Sequence, residues 1–181
     1  LDLLQKGKLS GETVVATVMS NLGLHRFVKE HGMKLECTNV GDRNVLERML
    51  EKGYAIGGEQ SGHMIFLEHA TTGDGELTAL QMLALLKESG KKASEVFGSC
   101  PRYPQVLINI PVADNDVKKA VMASDALRQA IQREEEVLAG DGRILVRPSG
   151  TEALMRVMVE AKTEQTAGET AQRLADLVRS L

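Results

Sequence analysis

Residues 144–159 read ILVRPSGTEALMRVMV. Two apolar runs, 144–146 and 154–159, flank a turn built on Pro148, Ser149 and Gly150. The pattern is strand–turn–strand, with Arg147 and Arg156 near the two mouths of the turn. In a period-two strand, Arg156 shares a face with Leu154 and Met158, while Met155, Val157 and Val159 take the other. A guanidinium on such a strand calls for an anionic partner, either a phosphate or a carboxylate. The turn itself offers backbone N–H groups, the hydroxyls of Ser149 and Thr151, and a glycine that lets an anion come close to the backbone. Arg147, Ser149, Gly150, Thr151 and Arg156 are therefore candidate ligands for a phosphate dianion. A tight hairpin with surface arginines is the competing reading, and RPSG alone favours it.

Working outward, residues 163–181 carry Ala167, Thr170, Ala171, Leu174, Leu177, Val178 and Leu181 on one stripe, which predicts an amphipathic closing helix. Upstream, 106–112 reads as a strand, and 114–123 and 124–138 as two helices. In the second of these Leu127, Ala130 and Ile131 are expected inward, and the acidic run Glu134-Glu135-Glu136 outward into solvent. Strand, helices, hairpin, helix is an α+β layout, a small sheet covered by helices. Residues 98–104 hold two prolines and a glycine and read as a linker. The expected boundary is near Pro101, giving domains over 1–100 and 101–181.

The first of these alternates strands and helices. Residues 13–18 (TVVATV), 34–40, 54–58 and 64–67 read as strands. Between them, Asn21 is expected to cap a helix that ends at Gly32. Val45, Leu46, Met49 and Leu50 mark a second helix, stopped by Gly53. Residues 76–88 are apolar on nearly every side and predict a buried helix. The alternation argues for βαβ units with a mainly parallel sheet, an α/β domain.

A second motif, residues 57–63, reads GGEQSGH. Glu59 and Ser61 are two apart, so an extended backbone points them the same way. A carboxylate and a hydroxyl on one side suit vicinal hydroxyls; a glycine-rich turn whose glutamate caps a neighbour fits as well. His63 orients the loop, touches phosphate or is a satisfied core histidine. At 40–44, VGDRN places Arg43 at a helix start, with Asp42 as the expected cap. The 72–75 stretch, TGDG, reads as a structural helix start.

RPSGTE followed by an apolar strand bearing an arginine resembles the phosphate-binding loop in the last domain of the α-D-phosphohexomutases. GGEQSGH resembles the sugar-recognition loop of one branch of that family, the bacterial phosphoglucosamine mutases. The resemblance covers nearly the whole chain and about the C-terminal half of a four-domain architecture. It implies a three-layer α/β sugar-recognition domain followed by a smaller α+β phosphate-binding domain. It implies that Glu59 and Ser61 grip O3 and O4 of a hexosamine phosphate, with His63 beside them. It also implies that Arg147, Ser149, Gly150 and Thr151, with Arg156, hold the non-reacting phosphate. A grip on the middle of the sugar serves both orientations of a substrate that turns end over end between two phosphoryl transfers. Two positions depart from the family: Ala153 stands where proline usually follows GTE, and Asn44 where tyrosine follows VGDR.

The family's phosphoserine loop (Ser-His-Asn-Pro) and its magnesium loop (Asp-Gly-Asp-x-Asp-Arg) have no counterpart in these residues. No catalytic residue or metal ligand is thus assigned. The resemblance places Mg2+ and a glucosamine 1,6-bisphosphate activator with the intact enzyme, and N-terminal domains of the same protein are the expected partners. The chain opens on Leu1 without an initiator methionine, which agrees with a piece of a longer enzyme, inactive by itself. Another hexose-phosphate mutase and a non-catalytic phosphosugar-binding module stay open as alternatives.

Composition sets the remaining bounds. The 181 residues are 43% hydrophobic and 26% charged, with two tyrosines, three phenylalanines and no tryptophan, so the cores rest on aliphatic residues and methionine. A net charge of −3 gives no general electrostatic reason to bind nucleic acid or an anionic membrane. No apolar run is long enough to span a bilayer. Cys37 and Cys100 lack metal-ligand spacing and read as reduced thiols of a cytoplasmic protein, with a single disulfide between them as the alternative. Oligomeric state is not legible.

Overall fold

The computed structural model describes all 181 residues. They divide into two units, Leu1–Arg102 and Tyr103–Leu181.

The first unit contains α1 (Asp2–Gln5), a 3-10 turn (Ser10–Glu12), β1 (Thr13–Thr17), α2 (Leu22–Glu30), β2 (Lys34–Thr38) and α3 (Asp42–Lys52). It continues with β3 (Ile56–Gly58), β4 (Met64–Phe66), α4 (Gly75–Ser89) and α5 (Ala93–Phe97). The sheet order is β2-β1-β3-β4. β1 is parallel to β2 and β3, and the β3–β4 hairpin adds an antiparallel edge. Strand alternation sends neighbouring residues to opposite faces. Val15 and Ile65 meet Val45 and Met49 of α3 on one face. Val14, Leu35 and Ile56 meet Val28, Leu24 and Phe27 of α2, with Leu3 and Leu4 of α1, on the other. The result is a three-layer arrangement.

The second unit contains β5 (Gln105–Pro111), α6 (Asn115–Ala123), α7 (Asp125–Leu138), β6 (Gly142–Pro148), β7 (Leu154–Ala161) and α8 (Glu164–Ser180). Its sheet is antiparallel, in the order β5-β7-β6. Met155, Val157, Val159 and Ala161 of β7 join Ile144, Val146 and Ile110 in a core with Val121, Leu127, Leu174 and Val178 from the helices. The opposite face of β7 carries Leu154, Arg156, Met158 and Glu160, the alternation expected of the strand. Asp114, Ser124 and Thr163 each cap the following helix with a side-chain oxygen.

Several expectations need correction. Helix α4 has no buried residue, and Leu80 and Leu83 are 65% and 61% exposed. Leucines spread around a helix have no preferred face, so wherever it docks some remain outside. Leu50 and Leu181 are also exposed. The cap of α3 is Gly41, not Asp42. Asp42 is the first helical residue, and its carboxylate accepts only from the adjacent Arg43 N–H. Glu134 is no solvated charge. It takes two bonds from Arg173 of α8, Oε1 from Nε at 2.7 Å and Oε2 from Nη2 at 2.8 Å. It stands where α7 packs beside α8, so the arginine reaches it across the helix pair.

Candidate functional site

The β3–β4 connection is the first cluster. Glu59 N–H donates to the His63 carbonyl (3.0 Å), and Gly62 N–H to the Glu59 carbonyl (3.0 Å). Gly62 has φ 101°, which a side chain would resist. This turn, rather than an extended strand, makes the side chains converge. The Ser61 hydroxyl donates to Glu59 Oε1 at 2.7 Å and lies 2.9 Å from His63 Nδ1. A hydroxyl has one proton, so with that proton on Glu59 it accepts from Nδ1–H, and in the neutral ring Nε2 is then the acceptor. The other carboxylate oxygen, Oε2, accepts from Gly41 N–H at the start of α3 (3.3 Å). The Glu59 side chain is 12% exposed and that of His63 54%. The cluster is preorganised, with Glu59 anchored from two directions, and its groups are able to hydrogen-bond hydroxyls.

Beside it lies a cleft of about 330 Å³. Val14, Ala16, Leu24, Ile56 and Met64 supply apolar lining, and Ser20, Asn21, Glu59 and Gln60 the polar groups. The last four follow the carboxyl ends of β1 and β3, where open α/β sheets take ligands. Arg43 does not join them, being ion-paired to Glu47 of its own helix at 2.8 Å. Asp74 caps α4 by accepting from Leu77 N–H (2.9 Å).

The β6–β7 turn is the second cluster. Arg147 and Arg156 are direct cross-strand partners on the face away from the helices, and Asn109 of β5 stands opposite Arg156. Like charges in that relation repel. The Nε atoms of both arginines are buried without a hydrogen-bond partner. Arg147 has no carboxylate; its one hydrogen bond is a long one from Nη1 to the Pro148 carbonyl (3.5 Å). Burial, and then the charge of Arg156, pull its pKa below the ordinary guanidinium value. Arg156 is held by Glu152, Nη2 to Oε2 at 2.5 Å. Ser149 is buried, and its hydroxyl accepts from Glu152 N–H (3.3 Å), closing the turn. Gly150 and Thr151 are exposed. A Cβ on Gly150 would meet nothing within 4 Å, so the backbone there is open to approach.

Sequence reading missed two residues at this turn. Asn109 enters only through strand register. Lys118 of α6 is 8% exposed, and its Nζ donates to the carbonyls of Ser149 (2.9 Å) and Glu152 (2.7 Å). Lys118-Lys119 reads as solvated helix surface, and only the tertiary fold puts Lys118 inward.

Residues 1–103 match the model for the α/β/α domain III of phosphoglucomutase/phosphomannomutase, and residues 107–177 match that for its C-terminal domain. The chain belongs to the phosphoglucomutase/phosphomannomutase family. It is 53% identical over 175 residues to the phosphoglucosamine mutase of Limosilactobacillus fermentum, covering 97% of this chain and 38% of that one. The chain thus spans less than half the length of this curated relative. Among solved structures of the fold, N-acetylphosphoglucosamine mutase of Aspergillus fumigatus aligns with a TM-score of 0.80 at 21% identity, over 98% of this chain and 39% of that one. A second structure of the Aspergillus enzyme, in complex with GlcNAc-6P and magnesium, aligns at 0.73 and 23% identity, over 93% of this chain and 38% of that one.

The present residues do not fit a magnesium site. No three His, Cys, Asp or Glu side chains gather at one point. Cys37 and Cys100 are not joined in a disulfide, and no helix is long and apolar enough to cross a membrane.

Proposed function

We propose that this chain is the sugar- and phosphate-binding portion of a phosphoglucosamine mutase, a cytoplasmic enzyme interconverting glucosamine 6-phosphate and glucosamine 1-phosphate. The observation that carries the reading is the adjacency of Arg147 and Arg156 on the sheet face away from the helices, with buried Nε donors that the protein leaves unused. The fold bears a like-charge contact that a phosphate dianion would relieve. Identity of 53% to a phosphoglucosamine mutase along 97% of the chain favours that branch of the family.

In this reading domain 1–100 supplies the sugar grip. Glu59 accepts from two vicinal hydroxyls, Ser61 bridges, and His63 offers Nε2 to a hydroxyl or an ammonium. Domain 101–181 supplies the phosphate clamp: Arg147 and Arg156 for the oxygens, Gly150 and Thr151 for N–H and O–H donors, Ser149 for the shape of the turn. Neither cluster contains the family's phosphoserine loop. We assign the phosphoserine, Mg2+ and the bisphosphate activator to other domains of the longer protein, in line with the magnesium complex of the Aspergillus enzyme.

The test is turnover by the full-length protein of glucosamine 6-phosphate, glucose 6-phosphate and mannose 6-phosphate. Preference for the first, lost in Glu59→Gln, is expected, and the 181-residue chain alone should turn over none. Preference for mannose or glucose phosphate would refute the assignment, and turnover by the chain alone would refute the division of labour.

A further inference from the structure

We propose that Lys118 is a positioning residue of the 149–152 turn: its ammonium turns the loop carbonyls inward, so that the Gly150 N–H faces outward for an incoming phosphate. The inference rests on reading that turn as the phosphate clamp.

Lys118 is a buried cation with two carbonyl partners and no carboxylate in its reach. Burying an ammonium is costly, and a methionine would fill the same space without that cost. Packing therefore does not account for the charge. Its effect on the loop is geometric. All peptides are trans, so each carbonyl is antiparallel to the N–H of the next residue. With the Ser149 carbonyl drawn toward Lys118, the Gly150 N–H is directed away from it. The Glu152 carbonyl does the same for Ala153.

Helix α6, the source of Lys118, packs on the helix-covered face of the sheet through Val117 and Val121. The two arginines occupy the other face. The turn is thus held between a cation on one side and two on the other. Lys118 fixes the dipoles of the loop and adds a third positive charge to its field.

The experiment is a titration of the 181-residue chain with inorganic phosphate, followed by amide NMR, for wild type, Arg147→Ala, Lys118→Met and Lys118→Arg. The wild type should bind saturably, with its largest amide shift at Gly150. Lys118→Met should weaken binding about tenfold, the effect of losing a charge-assisted contact, with a reduced salt dependence. Lys118→Arg should recover most of the affinity. Binding lost in Arg147→Ala but unchanged in Lys118→Met would overturn the role of Lys118 and leave the clamp standing. No saturable binding by the wild type would overturn both. An unmoved Gly150 amide in saturated wild type would overturn the proposal even if Lys118→Met failed to fold.

Discussion

Arg147 of β6 stands directly opposite Arg156 of β7, and each guanidinium keeps a buried Nε without a partner. Only one of the two has a carboxylate, since Glu152 pairs with Arg156. The arrangement is unfavourable for an empty hairpin and favourable for one that takes an anion.

Removing one arginine should therefore stabilise the ligand-free protein. Arg147→Leu is expected to raise unfolding stability by about 0.5 kcal/mol in phosphate-free buffer, the scale of a relieved cross-strand repulsion. It should also abolish the rise in melting temperature expected for the wild type with phosphate. Paired melts with and without phosphate check both signs.

In the proposed clamp, Glu152 competes with the phosphate for Arg156. Glu152→Gln keeps the shape of the loop and removes the competing charge. Phosphate should bind about two- to threefold more tightly, in proportion to the worth of an exposed ion pair. Calorimetry on the variant, showing equal or weaker binding, would contradict this.

The bond between α7 and α8 through Glu134 predicts an acid dependence. Hydrogen bonds from Arg173 hold the Glu134 carboxyl below its ordinary value of 4.5. A lowered pKa means the contribution is complete above the unfolded value and fades as the pH falls through the folded one. Glu134→Gln should cost about 0.5–1 kcal/mol at pH 7 and progressively less below pH about 4.5. Urea unfolding at pH 7 and at pH 3.5 measures the difference.

Gly57, first in the GGEQSGH motif, is a packing residue. A Cβ there would lie 2.6 Å from Met49 Sδ and 2.7 Å from Val45 Cγ1, both in the core of the first unit. Gly57→Ala should destabilise that unit by about 1–3 kcal/mol through overpacking. A variant as stable as wild type would show that α3 yields more easily than its burial implies.

Local patterns made much of this legible. Alternation along 154–159 separates the core residues Met155, Val157 and Val159 from Arg156, because a strand has only two faces. Asn21 is found capping α2 by accepting from Gly23 N–H, a contact within three residues of chain. What sequence did not reveal depends on distant partners. The exposure of Leu80 and Leu83 depends on what lies beside α4, and the bond of Glu134 on a helix more than thirty residues away. The candidate clusters divide in the same way. Their loop residues are visible as motifs, whereas Lys118, Asn109 and the Gly41 amide reach them only through the fold. The convergence of Glu59, Ser61 and His63 comes from a turn, although their spacing alone suggested an extended segment.

The central claim is that the arginine pair holds the phosphate of an amino sugar phosphate. Calorimetric titration of the 181-residue chain with glucosamine 6-phosphate and with glucosamine, for wild type and Arg147→Ala, tests it most directly. The account predicts saturable binding of the phosphate by the wild type alone and none of the free sugar. Equal binding by Arg147→Ala, or of both sugars by the wild type, would contradict it.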